Sequence, residues 1–495
     1  MHMQPIIRPM LDFGPCVRQI LQKRNISASE FARMMGYKSR NSIFRILDGE
    51  GGHGPRQALY DRLTSEDMLS LTQQERRELF QALEISRVGL VAFLNNRAMR
   101  ELMMDVFMEE EADEIRVLSM DGRKAHVDGL YGSIDHLKEI EITITGCCDR
   151  QILTQLNERL TGKNTTFRIT HFVYTGEEEL IRNISAIQPL LYRSDYTAYA
   201  VEPGMFSRER QRLYRNNMIY VHSIPYEGRQ YDRAFVMADK GCFLALKQRD
   251  AGSISQLDAF FKQDAMRMRP LKDDRNEGVA DYVAYTEECL RMEQSRTMYT
   301  IKRDVPLSCV QTDILSQCVL EGFAAAGIAP QEEIAPLLEQ LQRVHNLRFE
   351  NHFTKRKPSH MVFDRAAMER FTQTGRQSDH FFAFRAYTPQ ERVRILTNLR
   401  EQAAENPYFN VYFFKPEYEA PQMEIALFEG MGTLMAKPDT NYNLMGEHTE
   451  TIITQESFCA CYKNYYMQDL LERQVTDKQE TLDILDQLIE MAKNA

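Results

Sequence analysis

Two short capped helices separated by a glycine turn, between Ser27 and Gly49, constrain this chain more than any other stretch. Ser27 followed three residues later by Glu30 is a capping-box pattern, in which side chains satisfy the free N–H groups of a helix start. The helix it opens, ASEFARMMG, has room for about two turns before Gly36, a residue that tolerates the positive φ of a helix end. Ser39 caps the next, RNSIFRILDGE, which Gly49 closes. Helices this short do not stand alone in water. They must bury Phe31, Met34, Met35, Ile43, Ile46 and Leu47, and residues 15–25 supply a facing stripe of Val17, Ile20 and Leu21 at helical spacing. The segment predicts a small all-α bundle with a tight turn between its second and third helices.

The third helix offers Arg40, Asn41, Ser42 and Arg45 outward, with Lys38 and Ser39 just ahead. Arg forks onto guanine, Asn onto adenine, and Ser adapts to either. Lys38 and Arg45 suit phosphates, which hold register without reading sequence. Charge agrees: residues 1–60 carry a net +5 in a chain whose total is −10. A basic segment on an acidic body fits one module that faces nucleic acid.

ISASEFARMMGYKSRNSIFRILDGE resembles the lambda-repressor/Cro-like (XRE-type) helix-turn-helix family. The residues that carry the resemblance are Ser27, Glu30, Phe31-Ala32, Met35-Gly36, Ser39, Ile43-Phe44-Arg45-Ile46 and Gly49. It departs from the family at Ala28, where Gln is usual, at Leu47, where an acid is usual, and by one extra residue between Gly36 and Ile43. The resemblance covers about a tenth of the chain. It implies a DNA-binding domain whose contacts to double-stranded DNA come from Lys38, Ser39, Arg40, Asn41, Ser42 and Arg45.

The whole chain has an ordinary globular composition, 43% hydrophobic and 27% charged. No run of about 18 apolar residues marks a membrane span, and MHMQPIIRPMLDFG lacks the layout of a secretory leader. Nine cysteines, odd in number and irregularly spaced, point to reduced thiols in a cytoplasm. The expected fold class is multidomain α+β: an amino-terminal all-α helix-turn-helix bundle, a mixed α/β effector region and a carboxy-terminal amphipathic helix. Boundaries are drawn at 1–66 for the bundle and 67–114 for a helical connector ending in the acidic MEEEADE. An α/β effector domain follows at 115–275, a helical segment at 276–350, a second α/β region at 351–475 and the terminal helix at 476–495. GEGGHGP (residues 49–55) reads as a loop. Strand candidates are EIRVLSM, EIEITITG, TTFRITHFVY, NMIYVHSI, RAFVMAD, GCFLAL, YFNVYFFK, MEIALFEG and ETIITQ. No tandem repeat is visible.

Catalytic patterns fail on inspection. Thr161-Gly162-Lys163-Asn164-Thr165 lacks the upstream Gly and the Mg²⁺-holding hydroxyl of a phosphate loop. His352, His360 and His380 form no ligand pair at metal spacing. Ala326-Gly327 precedes a helical segment rather than the β domain of a self-cleaving repressor. Lys355-Arg356-Lys357 reads as a solvated basic loop. The aromatic clusters at 174–236 and 408–418 suit either core packing or an apolar pocket.

The expectation is therefore a cytoplasmic, sequence-specific DNA-binding transcriptional regulator and not an enzyme, with no catalytic or metal residues and no cofactor. It would act as a homodimer, with a large effector region that senses a small-molecule or peptide ligand or mediates assembly. The alternative is an enzyme acting on nucleic acid or a nucleotide, brought to DNA by the same helices.

Overall fold

Ser27 Oγ accepts the Glu30 backbone N–H at 3.2 Å in the structure, a computed structural model, and opens α2 (Ala28–Met34). The structure describes residues 12–37, 39–48, 53–65, 69–104, 139–146, 150–161, 166–176, 179–193, 195–215, 217–223, 232–237, 243–246, 251–268, 270–273, 287, 289–294, 296–325, 331–377, 385–421, 423–436 and 450–495. The chain divides into two compact units, Met1–Arg97 and Ala98–Ala495.

The smaller unit packs α1 (Phe13–Lys23), α2, α3 (Arg40–Leu47), α4 (His53–Ser65) and α5 (Gln73–Val88) around Phe13, Val17, Ile20, Phe31, Ile43, Leu63, Leu79 and Leu83. Helix α6 (Leu90–Met104) follows. Gly14 marks a close crossing, since a Cβ there would stand 2.0 Å from the Leu47 carbonyl oxygen of α3. The start of α5 is tied to the end of α1 by Arg24, which donates to both oxygens of Glu75 at 2.9 and 2.6 Å. Glu75 also completes a capping box with Thr72. The Arg24 hydrogen bonds hold its carboxyl at about 2, well below the ordinary carboxylate range. The expected loop at 49–55 is partly helical, because α4 already begins at His53 and Pro55 sits in the first turn, where a missing N–H costs nothing.

The larger unit carries two mixed sheets. The first contains β1 (Glu139–Thr145), β2 (Thr166–Tyr174), β3 (Tyr196–Val201), β4 (Asn217–Ser223), β5 (Asp232–Met237) and β6 (Phe243–Leu246), in the order β3-β2-β1-β4-β5-β6. β1, β2 and β3 are parallel, and β4 to β6 run on from β1 as an antiparallel meander. The parallel strands are linked by α7 (Arg150–Leu160) and α8 (Leu180–Leu191), whose Leu153, Leu156, Ile184 and Ile187 cover the face of Ile140, Ile142 and Ile144. After β3 comes α9 (Arg208–Arg215), and after β6 comes α10 (Ala251–Ala265); Tyr214 and Phe261 from these helices cover the opposite face.

The second sheet repeats this plan. Strands β8 (Met298–Lys302), β9 (Ser359–Phe363), β10 (Phe409–Phe413), β11 (Glu424–Phe428), β12 (Gly432–Ala436) and β13 (Glu450–Ile453) lie in the order β10-β9-β8-β11-β12-β13, with the short β7 (Lys272–Asp273) added at the edge. β8, β9 and β10 are parallel and β11 to β13 are an antiparallel meander. The connecting helices α11 (Thr312–Ala325), α12 (Gln331–Thr354), α13 (Arg365–Thr374) and α14 (Pro389–Glu405) take one crossing each side of β9. Ile314, Phe371 and Ile395 share a core with Met361 and Phe363. The helix after the meander, α15 (Glu456–Tyr465), covers the other face, as α10 does in the first sheet. A π-helix (Tyr466–Gln474) continues α15, and α16 (Lys478–Lys493) closes the chain.

The larger unit thus contains one topology twice, which the sequence reading missed because strand order, not residue identity, is what repeats. Met298–Lys302 is a central strand, although 276–350 reads as helical in the sequence. The boundaries expected at 275, 350 and 475 fall inside this unit, whose second sheet draws strands from both sides of 275 and 350. EIRVLSM lies outside the described residues. Among the described residues no helix is long and apolar enough to cross a membrane.

Candidate functional site

Of the residues expected to face DNA, Lys38 lies outside the described residues. Ser39 has extended backbone and caps α3: its Oγ accepts from the Ser42 N–H at 3.4 Å and lies 3.1 Å from Ser42 Oγ. The Ser42 hydroxyl is therefore engaged in the cap that starts the helix. Arg40, Asn41 and Ser42 are exposed on the first turn of α3, and exposed Arg45 lies on the last. The structure brings these five side chains to one short helix. It also adds Arg18 of α1, which pairs with Asp48 and stacks over Phe44 at 5.3 Å.

A second locus lies where the parallel strands of the first sheet end. In open α/β sheets ligands bind beyond the carboxyl ends of the strands, where the chain departs to opposite sides of the sheet. That point here is the end of β1, flanked by β2 on one side and β4 on the other. A Thr-Gly pair lies at the end of each strand: Thr145 closes β1 with Gly146 next, and Thr175-Gly176 directly follow β2. Gly146 has φ +58°, and a Cβ on it would meet the Arg215 backbone at 2.7 Å. This close approach sets the last residue of α9 against the end of β1. Arg215 then reaches over Tyr174, with its guanidinium 4.1 Å from the ring centroid and Nη2 donating to the Tyr174 hydroxyl at 2.5 Å. Among the described residues it meets no carboxylate.

Thr175, which follows Tyr174 and turns to the other face of the sheet, is 3% exposed and its Oγ1 has no hydrogen-bond partner. A buried hydroxyl without a partner carries a desolvation cost of about 1–3 kcal/mol, which a bound acceptor or donor removes. Tyr174, Phe172, Tyr199, Phe206 and Tyr214 form an aromatic wall on the Tyr174 side, so the aromatic stretch of the sequence is gathered at the strand ends. Tyr214 is braced by Asp264, which also receives Arg210; Asp264 is thereby spent within the wall. Burial, reinforced by the hydrogen bond to Asp264, pushes the Tyr214 hydroxyl far above its ordinary range. The arrangement is cationic and aromatic, which suits a phosphate-bearing or planar ligand. Sequence reasoning passed over Thr175 and Arg215; the two Thr-Gly pairs ending β-rich runs were the available signal.

The basic triplet is corrected. Arg356 and Lys357 are exposed, but Lys355 is 8% exposed, with its Nζ 2.8 Å from Met298 Sδ. Burial lowers its ammonium pKa to about 8. The neighbouring His352 is 2% exposed, neither of its ring nitrogens has a partner, and burial holds it neutral. His345 Nε2 donates to the Val310 carbonyl at 3.1 Å, so Nε2 carries the proton of the neutral ring; burial lowers its pKa to about 4. Among the described residues, six cysteines are free, and no group of three His, Cys, Asp or Glu gathers as a metal site. Burial raises the Cys16 thiol to about 11, which makes it a poor nucleophile.

Comparison with known proteins finds no matching family model and no matching curated protein. Among solved structures the chain is similar to a polyphosphate kinase from Porphyromonas gingivalis, at 10% identity and a TM-score of 0.21, over 74% of this chain and 45% of that one. The chain thus spans less than half of the structure it matches. A likeness of that degree carries no activity across. The expectation of a sequence-specific transcriptional regulator is corrected to this extent: no matching family model, curated protein or solved structure is a DNA-binding regulator.

Proposed function

We propose that this chain is an enzyme acting on nucleic acid or a nucleotide, recruited to double-stranded DNA by its amino-terminal helices. The observation that carries the reading is the end of β1, where Arg215 extends over Tyr174 and meets no carboxylate among the described residues. A guanidinium fixed by stacking is pre-organised to meet charge that develops on a phosphoryl oxygen. In the smaller unit, Arg40, Asn41 and Arg45 on α3 support recruitment to a major groove, with Ser39 and Ser42 holding the helix start. Two copies on two half-sites would multiply the small contact that one bundle makes. This departs from the expectation that the chain is not an enzyme.

The test is turnover by the full-length protein, offered nucleoside triphosphates, single-stranded DNA and duplex DNA, with released phosphate or nucleotide measured. Arg215→Ala is expected to lower turnover at least a hundredfold. Arg40→Ala combined with Asn41→Ala is expected to weaken duplex binding tenfold or more and to leave turnover of free nucleotide unchanged. No turnover of any of these substrates, or turnover indifferent to Arg215→Ala, would overturn the reading.

A further inference from the structure

Helix α9 carries four arginines in eight residues, RERQRLYR, within a chain whose net charge is −10. The helix divides them by face. At about 100° of turn per residue, positions 208, 212 and 215 fall within an arc of about 60°. Arg208, Arg212 and Arg215 are all exposed. Arg210 stands on the far side. There its Nε donates to Asp264 at 3.1 Å, and its guanidinium lies over the rings of Phe206 and Phe260 at 4.8 and 4.6 Å. Tyr214, fully buried, enters the core of the first sheet from that side too. Packing therefore accounts for Arg210 and Tyr214. It does not account for the outward row, where like charges three and four positions apart repel one another and weaken the helix. A polyanion laid along the row reverses that cost.

The row is also fixed in place and has a direction. Arg210 and Tyr214 clamp the helix to the sheet, and the approach of the Arg215 backbone to Gly146 sets the last residue of α9 at the end of β1. At 1.5 Å per residue, Arg208 to Arg215 covers about 10 Å along the axis. Three guanidinium groups thus run along α9 and end where Arg215 stands over Tyr174. We propose that α9 is a track for single-stranded nucleic acid, with Arg208, Arg212 and Arg215 pairing with phosphates of one strand and leading it to the end of β1. This rests on the reading of that end as the substrate locus, and it names the substrate class: a polynucleotide strand in place of a free nucleotide. Every cation in the row is arginine, whose planar fork meets phosphate oxygens two at a time and stacks on unpaired bases. An anionic membrane surface asks only for charge, which lysine serves equally. One short row suits one backbone, whereas a duplex presents two.

The experiment is fluorescence anisotropy of the full-length protein with a labelled oligothymidylate of about 20 nucleotides, longer than one such groove covers. Arg208→Ala combined with Arg212→Ala is expected to weaken binding at least tenfold. The same pair should reduce the slope of log affinity against log salt by about 1.4, the share of two phosphate contacts on a single strand. Arg208→Lys with Arg212→Lys should keep the slope and recover part of the affinity, and this pair serves where the alanine pair does not fold, as circular dichroism reads. Arg356→Ala with Arg370→Ala removes the same charge from exposed arginines of the second sheet and should leave the affinity within twofold. No binding of the oligonucleotide, an unchanged salt slope, or equal losses in the two alanine pairs would overturn the proposal. So would polyglutamate that competes as well as the oligonucleotide, or phosphatidylserine vesicles bound through Arg208 and Arg212 in its place. Strand binding that depends on these arginines, with no turnover of any substrate, would sink the enzymatic reading and leave the track standing. Turnover of nucleotide with strand affinity indifferent to Arg208 and Arg212 would sink the track alone.

Discussion

At the scale of single residues, burial decides chemistry more than residue type does. Lys355 and its neighbours Arg356 and Lys357 look alike in sequence, yet only Lys355 is turned inward, against Met298. A sulfur is a weak acceptor and does not repay the loss of water around an ammonium. The lowered pKa, about 8 against an ordinary 10.5, expresses that cost. Between these two values the unfolded chain holds a proton that the folded chain has lost, so this residue makes stability rise with pH across that window. Below pH 8 the cost is present in full. Lys355→Met should therefore stabilise the larger unit by about 2 kcal/mol at pH 7, with the gain fading as pH approaches 10.5. Urea unfolding midpoints at pH 7 and pH 10 check it; a destabilised variant at pH 7 would show that Lys355 has a partner worth keeping.

At the scale of elements, what was legible in sequence was whatever had a local cause. The caps at Ser27 and Ser39 use residues three apart, so α2 and α3 could be bounded before any fold was known. EIEITITG and TTFRITHFVY became β1 and β2 because alternation and β-branching are local properties. β8 and β9 were missed: MYTIK and SHMVF are five residues each and sit beside long helical patterns. Their strand character comes from lying at the centre of a sheet assembled from distant residues. The π-helix has the same kind of cause. Asp469, 1% exposed, receives Arg100 of α6 through Nε at 3.0 Å and through Nη2, and Gln474 at 3.0 Å. Tyr466 donates its hydroxyl toward the carbonyls of His360 and Thr300 on adjacent strands. Nine residues in this rare geometry need such tertiary anchors. Asp469→Asn weakens the hydrogen bonds from half-exposed Arg100 and should cost the larger unit about 1.5 kcal/mol. Denaturant titration reads this directly, and a loss below about 0.5 kcal/mol would mean that the π-helix is held by its tyrosines alone.

At the scale of the whole molecule, each unit has its own core, drawn from Phe13–Leu83 in one and from residues beyond Arg97 in the other. Units with separate cores unfold as separate cooperative steps. Their acid responses should differ in pH, because different groups set them. In the larger unit His345 is held neutral to about pH 4, while in the unfolded chain it charges near its ordinary 6.5. The unfolded state then binds the extra proton, and stability falls as pH drops from about 6.5 toward 4; His352, held below its ordinary range by burial, acts with the same sign. In the smaller unit the corresponding group is Glu75, lowered from an ordinary 4.5 to about 2 by Arg24. Its contribution is intact at pH 5 and is lost only as pH falls through that lower window. Going from pH 8 to pH 5 should therefore weaken the larger unit first and leave the smaller one in place. Hydrogen exchange of the full-length chain, followed by mass spectrometry, resolves the two sets of amides. Gly14→Ala, which drives a methyl into the Leu47 carbonyl, supplies the converse: it should lower protection in α1 to α5 at every pH and leave the two sheets untouched. Equal loss of protection in both units under either perturbation would show one cooperative structure in place of two.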